Sequence, residues 1–225
     1  MLNIFKRHKP INKIAKLYAL NVSMEQREAI VDSVLNLFGS FFDEQINEFD
    51  IHGPYGIGKG KSVGYKSFTS KLKNKGHAKY SSLTGNNEEK FGFHINYLIN
   101  ESTLEIIIWY SQSLYQIDLF KLIQTMSENI NIQYGFVFSL PTNYCVSWES
   151  KIKDRFGSTS ISTNPDLQNW QAKVHSICKG QIRSLYPINI INKSQAQHFS
   201  SKQFKTMPLS GTLDYVQQIN SAPNK

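Results

Sequence analysis

Residues 90–110 read KFGFHINYLINESTLEIIIWY, and they decide the fold class. From Phe91 the side chains alternate. Phe91, Phe93, Ile95, Tyr97 and Ile99 fall on one side, and Gly92, His94, Asn96 and Leu98 on the other. A period of two is the mark of a β-strand with one face turned to a core. Asn100-Glu-Ser-Thr103 then supplies a turn, and Leu104-Glu-Ile-Ile-Ile-Trp-Tyr110 supplies a return strand. The stretch therefore predicts an antiparallel hairpin.

Outward from the hairpin, helical spacing takes over. Leu119, Leu122, Ile123 and Met126 share one face after Asp118. Asn131–Ser139 returns to a β pattern. Upstream, Ser23-Met-Glu-Gln26 has the form of a capping box, a hydroxyl at the N-cap with Gln three residues on. It opens a predicted helix from Met24 to about Phe38, closed by Gly39. Strand, strand, helix, strand predicts an α+β class: an antiparallel sheet with helices packed mainly on one face. The remaining segments predict smaller pieces. Ile11–Leu20 reads as a short helix within a basic lead-in, residues 1–22, ahead of one domain over 23–220. Phe41–Asp50 is ambiguous. Tyr65–Asn74 reads as a short helix or a solvated loop, and Tyr80–Leu83 as a weak strand. Asn164-Pro-Asp166 starts a helix with Pro near its first turn. Ile182–Ile191, interrupted by Pro187, reads as an edge strand or two short extended pieces. Thr212–Ile219 reads as a last short helix.

The chain has 225 residues, 40% of them hydrophobic and 12% aromatic, enough for one sizeable core. No run of about 18 apolar residues suggests a membrane span. The N-terminal residues lack the order of a secretory signal, so a cytoplasmic location is expected. Cys145 and Cys178 are too few for a disulfide framework or a zinc site, and both are expected reduced and partly buried.

The net charge of +8 is segregated. Lys6, Arg7, Lys9, Lys13 and Lys16 crowd the start. Glu25, Glu28, Asp32, Asp43, Glu44, Glu48 and Asp50 follow. Between Asp50 and Glu88 there is no acidic residue, while Lys59, Lys61, Lys66, Lys71, Lys73, Lys75 and Lys79 stand there. Such a dipole steers a charged macromolecular partner.

Within the basic interval, Gly53-Pro-Tyr-Gly-Ile-Gly-Lys-Gly-Lys-Ser62 invites comparison with a phosphate-binding loop, G-x-x-x-x-G-K-[ST]. From Gly53 the register reaches Gly58-Lys59 and then meets Gly60 where a hydroxyl is needed. Ending instead at Gly60-Lys61-Ser62 puts Tyr55 where the first glycine belongs. Both registers miss, and Gly64 stands where the first helical turn should be. No nucleotide cofactor is called for, and neither is a metal. His8, His52, His77, His94, His175 and His198 have no ligand-like spacing. His94 belongs to the less apolar side of its strand. Glu101 and Glu105 flank the turn as surface charges. Trp109, Trp148 and Trp170 read as core. No G-x-S-x-G or H-E-x-x-H is present, although a hydrolytic set assembled in space leaves no trace in sequence.

Leu185-Tyr-Pro-Ile-Asn-Ile-Ile191, followed by Ser210-Gly-Thr-Leu213, is similar to the C-terminal ends of small bacterial proteins encoded beside toxins. With the overall layout, this resembles the immunity proteins of polymorphic-toxin and contact-dependent inhibition systems. The resemblance implies a cytosolic α+β protein without catalytic residues that binds and neutralises one cognate toxin domain. Many such proteins are acidic, whereas this chain is basic. Tyr55, Lys59, Lys61 and Tyr65 of the glycine-rich stretch are the expected partner-binding residues. The competing expectations are a nucleic-acid-binding accessory protein using Lys59–Lys79 and an enzyme whose site is assembled in space.

Overall fold

The computed structural model describes residues 10–42, 45–52, 63–75, 81–87, 90–98, 102–155, 158–184, 186–196, 199 and 204–218. In chain order the elements begin with β1 (Ile11–Ala19), α1 (Met24–Phe41), β2 (Glu48–His52) and α2 (Tyr65–Lys75). The predicted hairpin follows β3 (Ser82–Asn87) as β4 (Phe91–Leu98) and β5 (Thr103–Ser111). Next come α3 (Leu119–Asn129), β6 (Ile132–Pro141), β7 (Tyr144–Cys145), β8 (Ser150–Arg155) and β9 (Ser158–Ile161). The chain continues through α4 (Pro165–Lys173), a 3-10 turn at Val174–Lys179 and β10 (Ile188–Asn192). It closes with α5 (Lys193–Ala196), β11 (Phe204–Pro208) and β12 (Leu213–Gln218).

Nine strands form one sheet in the order β11-β12-β10-β6-β1-β5-β4-β3-β2. Every pairing in it is antiparallel. β7, β8 and β9 form a separate small sheet. The α+β class read from residues 90–110 is the observed one. Ser23 caps α1 as expected, accepting from the Gln26 N–H while the Gln26 side chain accepts from the Ser23 N–H. Asp118 and Asn164 also cap α3 and α4 through their side chains.

The register sorts the sheet into two faces. On the first lie Ala15, Leu17, Phe93, Ile95, Ile106, Ile108 and Val137, packed against Ile30, Val34 and Phe38 of α1 and Leu122, Ile123 and Met126 of α3. Phe68 of α2 stacks on Phe49, 4.5 Å between ring centres. Each of these large apolar side chains contributes about 1.5–3 kcal/mol by leaving water. On the second face Tyr18, Tyr134 and Phe136 pack with Trp170 of α4 and with Val174 and Ile177. Helices therefore flank both faces, which corrects the expectation of one covered face.

Four further expectations are corrected. Ile11–Leu20 is not a helix in a lead-in; Ile11–Ala19 is the central strand β1. Its Ile14, Lys16 and Tyr18 point to one face and Ala15, Leu17 and Ala19 to the other, all fully buried. A strand buried on both faces has no polar side to display a period of two. Thr212–Ile219 forms strand β12 over Leu213–Gln218 and not a helix. β10 lies between β6 and β12 and is no edge strand; Pro187 stands just before it, outside the ladder. Glu105 is wholly buried and not a surface charge. The readings left open over Tyr65–Asn74 and Phe41–Asp50 resolve as helix α2 and, for the latter, as the end of α1 at Phe41 and the start of β2 at Glu48.

Candidate functional site

On the second face, β2, β3 and β4 present the polar residues of their alternation. Ser82 faces Asn96 and Thr84 faces His94 across β3 and β4. Asn96 in turn faces Glu105 of β5, and Glu105 faces Tyr18 of β1. Ser82, Thr84, His94 and Asn96 of this row form the floor of a cleft of about 490 Å³. Its walls are Cys145, Ser147 and Trp148 from the β7–β8 corner and Gln171 of α4, with His52 at the outer end.

Hydrogen bonds run unbroken from the floor to the buried Glu105 and Tyr18 on the neighbouring strands. Thr84 Oγ1 lies 2.6 Å from His94 Nδ1, and His94 Nε2 lies 2.6 Å from Asn96 Oδ1. Asn96 Nδ2 donates to Glu105 Oε2 at 2.8 Å, and the Tyr18 hydroxyl donates to Glu105 Oε1 at 2.7 Å. Burial holds the His94 imidazole below its ordinary value of 6.5, against the opposing pull of Asn96 and Glu105. Burial, and then the Glu105 carboxylate, push the Tyr18 hydroxyl well above 10.0.

Beneath the wall the charges are paired. Lys16 Nζ lies 2.7 Å from Glu149 Oε1 and 4.0 Å from Glu105 Oε1. It also donates to the Ser147 carbonyl at 3.3 Å. Arg183 reaches Glu149 Oε1 at 2.7 Å and Asp166 Oδ2 at 3.5 Å. Burial raises the Glu149 carboxyl, but Lys16 and Arg183 outweigh it and leave the group below 4.5. Glu149 also has a left-handed backbone, φ 51°, a conformation that costs a non-glycine residue free energy unless its surroundings impose it. Its carboxylate is held by both Lys16 and Arg183. The clasp fixes the corner and so holds Trp148, one residue earlier, at the rim with 45% of its surface exposed.

Of the residues expected to bind a partner, Tyr55, Lys59 and Lys61 lie outside the described residues. Tyr65 opens α2, 55% exposed, its ring 5.8 Å from that of Phe49. It borders a smaller groove with Leu35, Phe38 and Ile46 of α1 and its neighbourhood, on the other face of the sheet from the cleft. Of the lysine-rich interval, Lys66, Lys71, Lys73 and Lys75 belong to α2. Trp148 is not core, whereas Trp170 is. Cys145 is half-buried and lines the cleft, while Cys178 is exposed rather than partly buried. Sequence reasoning misses Thr84, His94, Asn96 and Glu105 as a set. The one signal available is that polar residues alternate with Phe and Ile along β4.

The residues that carry the resemblance serve the fold. Asn189 clamps its own turn, accepting from the Tyr186 N–H at 3.3 Å and donating to the Tyr186 carbonyl at 2.8 Å. Ser210-Gly-Thr-Leu213 makes the turn from β11 to β12, with Ser210 Oγ accepting from Leu213 N and buried Leu213 as its anchor.

Among the described residues no helix is long and apolar enough to cross a membrane. No protein-family model and no curated protein matches the sequence. Among solved structures the chain is similar to the Pseudomonas aeruginosa T6SS protein PA0821, with a TM-score of 0.49 and 9% identity. The alignment takes in 93% of this chain and 66% of that one, just under two thirds of its length. That likeness carries no functional information.

Proposed function

We propose that the chain is a binding protein that neutralises a cognate toxin domain by tight protein–protein association, and that the cleft is where it grips. The observation that carries this reading is the pinned corner. A half-exposed Trp148 is held over a hydrogen-bonded floor by Glu149, Lys16 and Arg183. An aromatic anchor kept in place before the partner arrives loses little entropy on binding, which is how interface hot spots concentrate affinity. The C-terminal resemblance to immunity proteins points the same way. The test is co-production with the toxin encoded by a neighbouring gene. Protection of the host and a stoichiometric complex are expected. Trp148→Ala should weaken that complex by about 2 kcal/mol or more, roughly 30-fold. No protection and no complex with any neighbouring product would remove the reading.

One observation favours an enzyme as the second reading. Thr84, His94 and Asn96 stand in the order hydroxyl, imidazole, orienting carbonyl, each 2.6 Å from the next. That is the spatial logic of a nucleophile, its base and the base's orienter. In this reading Thr84 Oγ1 attacks an acyl carbonyl while His94 Nδ1 takes its proton and returns it to the departing alcohol oxygen, and water then hydrolyses the acyl-Thr84 ester. Turnover of an activated ester that Thr84→Val abolishes would favour it. The nucleic-acid reading is tested by titration of single- and double-stranded probes at two salt concentrations.

A further inference from the structure

The hydrogen bonds on the cleft floor admit one set of directions, and these narrow what a partner can insert. The inference rests on the reading of the cleft as a protein-binding site. Glu105 as a carboxylate only accepts. Asn96 must then turn its NH₂ toward Glu105 Oε2, and this leaves Asn96 Oδ1 facing His94 Nε2. Nε2 therefore carries the proton. In the neutral imidazole Nδ1 is bare, so the Thr84 hydroxyl donates to it. Thr84 has spent its single proton inward. What its oxygen offers the cleft is lone pairs, so the floor presents a fixed acceptor.

The lining supplies the second constraint. Among the described residues that line the cleft there is no lysine, arginine or carboxylate. Lys16, Glu149 and Arg183 are paired with one another behind the wall. Asp50, opposite Thr84 in the β2–β3 register, is engaged by His52 at 3.1 Å and by the Ile51 N–H at 2.9 Å. A charged side chain entering would leave water without a counter-ion, at several kcal/mol. A neutral N–H gives up only ordinary hydrogen bonds, and Thr84 returns one. The half-exposed indole of Trp148 offers a flat apolar surface beside it.

We propose that the cleft receives an uncharged, amide-bearing segment of the partner protein, a backbone N–H or an Asn or Gln carboxamide. Thr84 Oγ1 accepts the N–H, and the segment lies against Trp148. Recognition at this point is by hydrogen bonding, whereas the charge segregation of the sequence suggests ionic steering.

Capped amino-acid amides test this on the whole chain, followed through the Trp148 indole N–H signal, which Trp148→Phe assigns. N-acetylasparaginamide and N-acetylglycinamide should shift it saturably, with little dependence on salt. Thr84→Val should weaken that binding roughly three- to ten-fold, the loss of one neutral hydrogen bond. Thr84→Ser should retain it and so separates the acceptor from any effect on folding. N-acetyllysinamide or N-acetylglutamate binding more tightly than the neutral amides would overturn the proposal. So would N-acetylglucosamine binding where the amides do not, or amide binding indifferent to Thr84→Val. A complex that is lost with Trp148→Ala while no amide responds would overturn this inference alone and leave the protein-binding reading standing.

Discussion

Lys16 lies on a central strand with none of its side chain in contact with solvent. It is balanced by Glu149 at 2.7 Å and, more distantly, by Glu105. Removing Lys16 leaves buried Glu149 with Arg183 alone and takes from buried Glu105 the cation 4.0 Å away. Lys16→Ala is therefore expected to cost about 3–5 kcal/mol in urea unfolding. Lys16→Met, which keeps the apolar stem, should cost less. His94 and Glu149 set the acid response. The folded-state value of His94 is depressed below 6.5, so the unfolded chain binds the proton first, and stability falls as pH drops through and below 6.5. The depressed Glu149 carboxyl adds a second loss as pH drops below 4.5. Melting temperature should therefore decline from pH 7 to pH 5. His94→Gln should flatten that part of the profile, and an unchanged slope would refute the assignment. None of these roles is legible in the sequence. Lys16 reads there as one of five basic residues, and Glu105 as the flank of a turn.

At the scale of elements, local chemistry is more explicit. Ser23 and Gln26 satisfy each other's backbone N–H groups at the start of α1. Ser23→Ala should lower stability by about 1 kcal/mol with the fold retained. Gly85 on β3 faces Phe93 on β4, and a Cβ there would stand 2.5 Å from Phe93 Cε1. Phe93 is fully buried and has no room to retreat. Gly85→Ala should therefore cost about 1–3 kcal/mol by overpacking and disturb the floor strand beside it. Hairpin β4–β5 and helices α1, α3 and α4 are readable because their signals lie within a few residues of one another. β10 and β12 mislead for the opposite reason. Pro187 and the residues after Gly211 are local facts, whereas β10 takes its place from β6, far away in the chain, and β12 takes its place from β10.

For the whole molecule the decisive element is β1, which joins β5 on one side and β6 on the other. Removing residues 1–19 would leave two half-sheets with unpaired inner edges and take buried side chains from both core faces. Such a truncation should give an unfolded or aggregated product, read by the loss of near-ultraviolet dichroism. A dispensable lead-in would instead leave the spectrum intact. The cleft is likewise a product of the whole chain. Lys16 meets the Ser147 carbonyl across 131 residues, and Tyr18 meets Glu105 across 87. By itself the amino-acid order determined the α+β class, the hairpin at 90–110 and the capped helices, because hydrophobic period and capping act between near neighbours. Only the tertiary structure decided that β1 is central, that Glu105 is buried and that Thr84, His94 and Trp148 share one cleft. Strand pairing and burial join residues whose separation along the chain carries no local pattern.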